Sequence, residues 1–315
     1  MVYKFLDFKI IPIADESLGV RSMCIYLETP EATILLDAGV SLGPRRYGLR
    51  PHPEEFRVLR KLRDKIIQYS QKADIITISH YHYDHYTPSF RSWYEWTNED
   101  TYKQIYENKI VLAKHPKNKI NYNQSKRAYV FLKNIENIVK NLILIDDNEY
   151  SVGELRIKGL KPVPHGSEGT KLGFVVIYSI TYKDIKLLFA PDVQGPISTN
   201  TLNLILSEKP DLLIIGGPPL YLAGQKISLS DVTKGLDNLN TLISKIDKII
   251  VSHHILRSKD WSEYINRKVI TYADLLNQEK TLLEAYRDEL YNADPPSEEY
   301  MKWLNSDRKN PPPIE

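Results

Sequence analysis

Apolar and polar positions give extended signals in three opening stretches, at about residues 3–12, 20–28 and 32–37, and predict strands there. A helical period follows. From Pro53 to about Ala73, Phe56, Leu59, Leu62, Ile66 and Tyr69 recur at helical spacing, with Pro53 and Glu54 suited to a first turn. A short apolar run, Ile75–Ser79, predicts the next strand. Later strands at about 172–180, 185–190, 211–215 and 248–252 alternate with helices at about 198–208 and 227–246. This succession describes a layered α/β protein, and two sheets flanked by helices would accommodate it.

The strand Ile75–Ser79 runs directly into His80, His82, Asp84 and His85, so six consecutive positions carry four groups that bind divalent metal. Neutral imidazole and carboxylate are donors that Zn2+ accepts. In extended backbone His80 and His82 project to one side and can grip one ion together. Asp84 and His85 follow in a turn and can address a second ion, on the order of 3.5–4 Å away in two-metal hydrolytic sites. A packing role would bury three imidazoles and a carboxylate with several polar groups left to satisfy. In layered α/β folds the loops at the carboxyl ends of strands carry the chemistry, which is where this run falls.

Composition bounds the function. With 315 residues, 42% hydrophobic and 26% charged, the chain can bury a sizeable core, and residues 1–315 are read as a single domain. The net charge of +2 argues against a strong electrostatic claim on nucleic acid. Cys24, the single cysteine, has no internal disulfide partner, which suits a reduced cytoplasm. The N-terminus lacks a signal-peptide pattern and no apolar stretch reaches membrane-spanning length, so a soluble cytoplasmic protein without a membrane partner is expected.

His-x-His-x-Asp-His at 80–85 resembles the signature of the metallo-beta-lactamase superfamily. Other motifs follow in that family's order: Asp37 in Leu-Leu-Asp-Ala-Gly, His165 in Val-Pro-His-Gly, Asp192 in Phe-Ala-Pro-Asp, and His253 in Ile-Ile-Val-Ser-His. The resemblance spans most of residues 3–275. It implies a four-layer αββα sandwich and two Zn2+ ions, with iron or manganese suited to the same donors. It places one ion on His80, His82 and His165 and the other on Asp84, His85 and His253, with Asp192 bridging and Asp37 supporting without binding metal. It implies hydrolysis of an ester, thioester, lactone or phosphodiester by a water that the two ions ionise near neutral pH, with Asp84 and Asp192 as catalytic carboxylates. A nuclease and an iron-dependent oxidoreductase on the same ligands are the alternatives, and a non-catalytic metal-binding protein is a third. His254 is expected to face away from the ion that His253 binds and to hydrogen-bond substrate or a ligand.

Residues 86–141 are read as an insertion that shapes the substrate mouth, with Lys126 and Arg127, then Lys117 and Lys119, contacting a small anionic substrate. An ordinary solvated helical face is the competing reading of those charges. His52 and His115 are read as surface residues, and Tyr221 as a turn residue near the pocket. From about Asn292 the Pro-rich, charged end is expected to be an irregular tail.

Overall fold

A computed structural model of the chain describes residues 3–314. Its first sheet has seven strands in chain order: β1 (Tyr3–Phe5), β2 (Phe8–Asp15), β3 (Met23–Glu28), β4 (Thr33–Leu36), β5 (Ile75–Ile78), β6 (Ile110–Ala113) and β7 (Asn141–Leu144). Pairing is antiparallel from β1 to β4 and parallel from β4 to β7. Helices α1 (Pro53–Lys72), α2 (Thr101–Tyr106) and α3 (Tyr122–Ile135) supply the connections among β4, β5, β6 and β7, as parallel pairing requires a crossover.

The second sheet takes β8 (Asn148–Val152), β9 (Leu155–Gly159), β12 (Tyr178–Tyr182), β13 (Ile185–Ala190), β14 (Leu212–Gly216) and β15 (Ile249–Ser252), in the order β15-β14-β13-β12-β9-β8. Between β9 and β12 the chain makes a short separate ladder, β10 (Val163–Pro164) with β11 (Phe174–Val175). Strands β13, β14 and β15 are parallel, linked by α4 (Thr199–Glu208) and α5 (Leu229–Lys245).

Side-chain alternation makes the layers. Leu187 and Phe189 of β13, Ile214 of β14 and Ile250 of β15 join one apolar cluster with Ile25, Leu35 and Ile76 of the first sheet. Their neighbours Leu188, Ala190, Leu213, Ile215 and Val251 face the other way, onto Leu202 and Ile205 of α4 and Leu239, Leu242 and Ile243 of α5. Sheet packs on sheet and each carries helices outside, the four-layer arrangement that the motifs implied.

Several expectations change in detail. The stretch expected as one strand at 3–12 is a hairpin, turning at Leu6 with φ 53°. Residues 86–141 do not simply insert, because they donate β6 to the middle of the parallel run. Strands β7, Asn-Leu-Ile-Leu, and β8, Asn-Glu-Tyr-Ser-Val, escape periodicity because β7 is only four residues long and β8 is mostly polar and exposed, and neither fully buries a residue. Beyond α6 (Tyr272–Leu275) the C-terminal segment is not irregular throughout: α7 (Arg287–Ala293) is followed by α8 (Glu298–Asn305), which buries Tyr300, Trp303 and Leu304. His52 is not a surface residue. It is buried as the N-cap of α1, where its side chain accepts from Glu54 N at 3.3 Å and Glu55 accepts from its backbone N–H at 2.7 Å. No helix among the described residues is long and apolar enough to cross a membrane.

Candidate metal centre

Every expected ligand or support residue except His165 lies just beyond the C-terminal end of a strand in a parallel pairing. Asp37 follows β4, His80 to His85 follow β5, Asp192 follows β13 and His253 follows β15, while His165 follows the short strand β10. The two sheets therefore deliver their donors to one edge of the sandwich. Asp37, Asp192 and His253 leave their strands in the left-handed region, with φ of 46°, 50° and 66°. That conformation is unfavourable for residues other than glycine, and here it turns each side chain sharply into the shared site. Gly39 is required nearby, because a Cβ on it would lie 2.2 Å from Tyr86 N and 2.5 Å from the His85 backbone.

Four overlapping donor groups result, and two of them match the expected ligand sets: His80, His82, His165 and Asp192 each offer one atom within 4.8 Å of the others, and so do Asp84, His85 and His253. The other two join Asp37 to His80 and His85, and Asp192 to His253 and His254. Asp192 lies between the two expected sets: its Oδ2 is 3.0 Å from His80 Nε2, 2.8 Å from His165 Nε2 and 3.2 Å from His85 Nε2, and its Oδ1 is 2.6 Å from His253 Nε2.

Surrounding acceptors fix the ring tautomers. His85 Nδ1 donates to Asp37 Oδ2 at 2.8 Å, and His253 Nδ1 donates to Glu16 Oε2 at 3.2 Å. Ser79 Oγ donates to Asp37 and accepts from His80 Nδ1 at 3.0 Å. With the Nδ1 positions committed, the rings in their neutral, ligating form present Nε2 lone pairs inward. Those lone pairs meet the Asp192 carboxylate, also an acceptor, so that form is repulsive unless cations, ring protons or metal ions, stand among the donors. Buried His165 Nδ1 and Asp192 Oδ1 have no hydrogen-bond partner. The donor set thus fits divalent ions by chemistry and by geometry.

His254 behaves differently. Arg257 Nη1, which can only donate, is 3.2 Å from His254 Nδ1, so that nitrogen accepts and the ring proton resides on Nε2. Nε2 is 3.3 Å from Asp192 Oδ1 but out of line for a hydrogen bond. Asp192, His253 and His254 also lie close enough together to hold an ion, but with Nδ1 committed to Arg257 the His254 ring would have to give up its Nε2 proton before it could bind metal. Burial, and next the charge of Arg257, hold His254 well below the usual imidazole range, so it stays neutral. Burial also opposes a charge on His253, but Asp192 and Glu16 outweigh it and lift the ring to about 9. A proton there occupies the place that a metal cation would take, so metal binding releases it. Asp84 is held low: burial would raise it, but the charges of His85 and His253 prevail.

Glu16 and Arg257 were not anticipated from sequence. Arg257 is buried, donates through Nε to Glu16 Oε1 at 2.8 Å, and reaches Tyr221 Oη at 3.1 Å and Asp84 Oδ2 at 3.5 Å. It ties the loop after β15 to the turn after β2. Asp-Glu at 15–16 ends an apolar strand, as Asp37 does, and that parallel is the signal that could have exposed Glu16.

The donors open onto a cleft of about 930 Å3 whose lining includes His82, Asp84, His165, Asp192, Tyr221 and His254. Arg127 lines it too, but Lys126 does not: Lys126 borders an adjoining hollow of about 320 Å3 with Tyr83, Phe90 and Phe131. Lys117 and Lys119 line neither, and Lys119 lies 5.4 Å from the Phe174 ring centre. Lys114 is buried in an ion pair with Asp146 at 2.9 Å.

The family model for the beta-lactamase superfamily domain matches residues 20–246, well over half of the chain. A UPF0282 protein of Methanopyrus kandleri is 41% identical over 90% of this chain and 98% of its own length, and one of Pyrococcus furiosus is 43% identical over 90% and 92%. Among solved structures, the metallo-beta-lactamase fold protein YhfI from Bacillus subtilis is 14% identical, with TM-score 0.45 over 84% of this chain and 96% of that one. The chain belongs to the beta-lactamase superfamily and groups there with the UPF0282 proteins.

Proposed function

We propose that the protein is a metal-dependent hydrolase that holds two divalent ions, zinc in the first instance, and cleaves an ester, thioester, lactone or phosphodiester in a small molecule. The observation that carries this reading is the pair of donor sets joined by Asp192 at the floor of one open cleft. His80, His82 and His165 would hold one ion, Asp84, His85 and His253 the other, and Asp192 both. Bound ions supply Lewis acidity, which makes water nucleophilic near neutral pH and stabilises negative charge on the substrate.

The chain's own residues do the rest. Asp37, Ser79 and Glu16 hold the His85, His80 and His253 rings in the ligating tautomer. Asp84 borders the cleft and is braced by Arg257, so it can orient the attacking water. Water oxygen bonds to the carbonyl carbon or phosphorus, the bond to the leaving group breaks, and the leaving group takes up the proton that the water gives up, while His254 lines the cleft where the substrate would lie. No serine or cysteine nucleophile is needed, and Cys24 is buried in β3 with its thiol pushed up by burial. A panel of phosphodiester, thioester and lactone substrates, run with zinc-loaded and chelator-stripped protein, tests the reading. Turnover of at least one class only when loaded is expected, and equal rates in both forms would contradict it.

A further inference from the structure

The charge lining the cleft is lopsided. Arg21 and Arg257 are neutralised within the protein, by Glu284 at 2.5 Å and Glu16 at 2.7 Å. Arg45, Arg50, Arg127, Lys226 and Arg308 also line it, and among the described residues none of these five has a carboxylate within 4.0 Å. The acids facing them are Asp84 and Asp192, which belong to the metal donors, and Glu95. Cations clustered above a floor that takes further cations repel one another, and a neutral substrate would leave that cost uncompensated.

Three of the five are half-buried and already positioned. Arg50 Nη1 donates to the Leu304 carbonyl, and Arg127 Nη1 to that of Tyr81 at 3.3 Å. The Arg127 guanidinium lies 4.2 Å from the Tyr83 ring centre and that of Arg308 5.2 Å from the Tyr94 ring centre. Each contact uses few of the five N–H donors and restricts the side chain, so little freedom remains to be lost on binding.

We propose that Arg50, Arg127 and Arg308 form an anion subsite for a phosphoryl group of the substrate other than the bond that is hydrolysed. The designation of that molecule as a substrate rests on the hydrolase reading above; the subsite itself does not. A phosphoryl group has three peripheral oxygens and up to two charges, enough for three guanidiniums to share, whereas one carboxylate is filled by a single bidentate arginine. A cleft of about 930 Å3 matches a small molecule. The subsite joins three distant parts of the chain: the loop before α1, helix α3 and the segment after α8.

Isothermal titration of the full chain with fructose 1,6-bisphosphate, fructose 6-phosphate, citrate and a single-stranded oligonucleotide tests this, using zinc-loaded and chelator-stripped protein. Stripped wild type should bind the bisphosphate, and the Arg127→Gln/Arg308→Gln variant should bind it at least tenfold more weakly. In loaded protein the bisphosphate should bind at least tenfold tighter than the monophosphate, with the gap lost in that variant. The Arg127→Lys/Arg308→Lys variant keeps the charge and should recover part of the affinity, which separates recognition from a folding defect. Equal bisphosphate binding by stripped wild type and the Gln variant overturns the subsite. Citrate matching the bisphosphate overturns the phosphoryl assignment, and tighter oligonucleotide binding overturns the small-molecule one. Failure of the hydrolase reading would appear elsewhere, as absent metal or absent turnover, with the stripped-protein result unaffected.

Discussion

Replacing Glu284 by Gln removes one half of a buried ion pair that fastens the C-terminal segment to the cleft. Arg21 Nε donates to Glu284 Oε2 at 2.6 Å and Nη2 to Oε1 at 2.5 Å, and the two side chains are only 19% and 8% exposed. Burial alone would raise the carboxyl, but Arg21 outweighs it and holds Glu284 at about 2, against an ordinary 4.5. A depressed carboxylate stabilises the fold fully above 4.5, and the contribution is lost as pH falls through about 2. The drop corresponds to about 3 kcal/mol at pH 7, close to the 3–5 kcal/mol typical of breaking a buried pair. Urea unfolding of chelator-stripped protein should therefore show Glu284→Gln less stable than wild type by about 3 kcal/mol or more at pH 7. The gap should shrink by about 2 kcal/mol at pH 3, because wild type loses part of its advantage there. A difference below about 1 kcal/mol at pH 7, or one that does not shrink at pH 3, would refute the reasoning.

Asp37 accepts from His85 and Ser79 without belonging to either ligand set, so Asp37→Ala should weaken zinc binding about 10- to 100-fold, measured by competition with a chromophoric chelator; unchanged affinity would remove its supporting role. Because Arg257 holds the His254 proton on Nε2, His253→Ala should lose one metal equivalent while His254→Ala retains both, read by metal analysis at saturating zinc. The reverse pattern would mean that Arg257 does not set the proton on His254.

The site was legible in sequence because its donors are chemically unusual and sit next to strands that announce themselves. Burying His80, His82 and His85 beside Asp84 has no ordinary packing rationale, and Asp37, Asp192 and His253 each end an apolar run. The residues that orient these donors were harder to see. Ser79, Glu16 and Arg257 are common residue types whose roles arise from contacts across 42 to 241 positions, as between Asp37 and Ser79 or Glu16 and Arg257. The same holds at the mouth. Lys126 and Arg127 are indistinguishable by charge, but on α3 they point differently, and only Arg127 reaches the cleft. Arg308 comes from a segment whose Pro and charge suggested a loose tail, yet Trp93 Nε1 donates to its carbonyl at 2.8 Å and Trp303 Nε1 to that of Asn310. Strand β6 was missed because its four apolar residues are too short a run to outweigh the polar stretch around them.

Metal content is the most direct test of a two-ion centre joined by Asp192. Protein stripped with chelator, reloaded with excess zinc, freed of unbound ion by gel filtration and measured by plasma mass spectrometry should carry two ions per chain, and Asp192→Asn fewer than two. One ion or none in wild type, or two ions held unchanged by Asp192→Asn, would contradict the account.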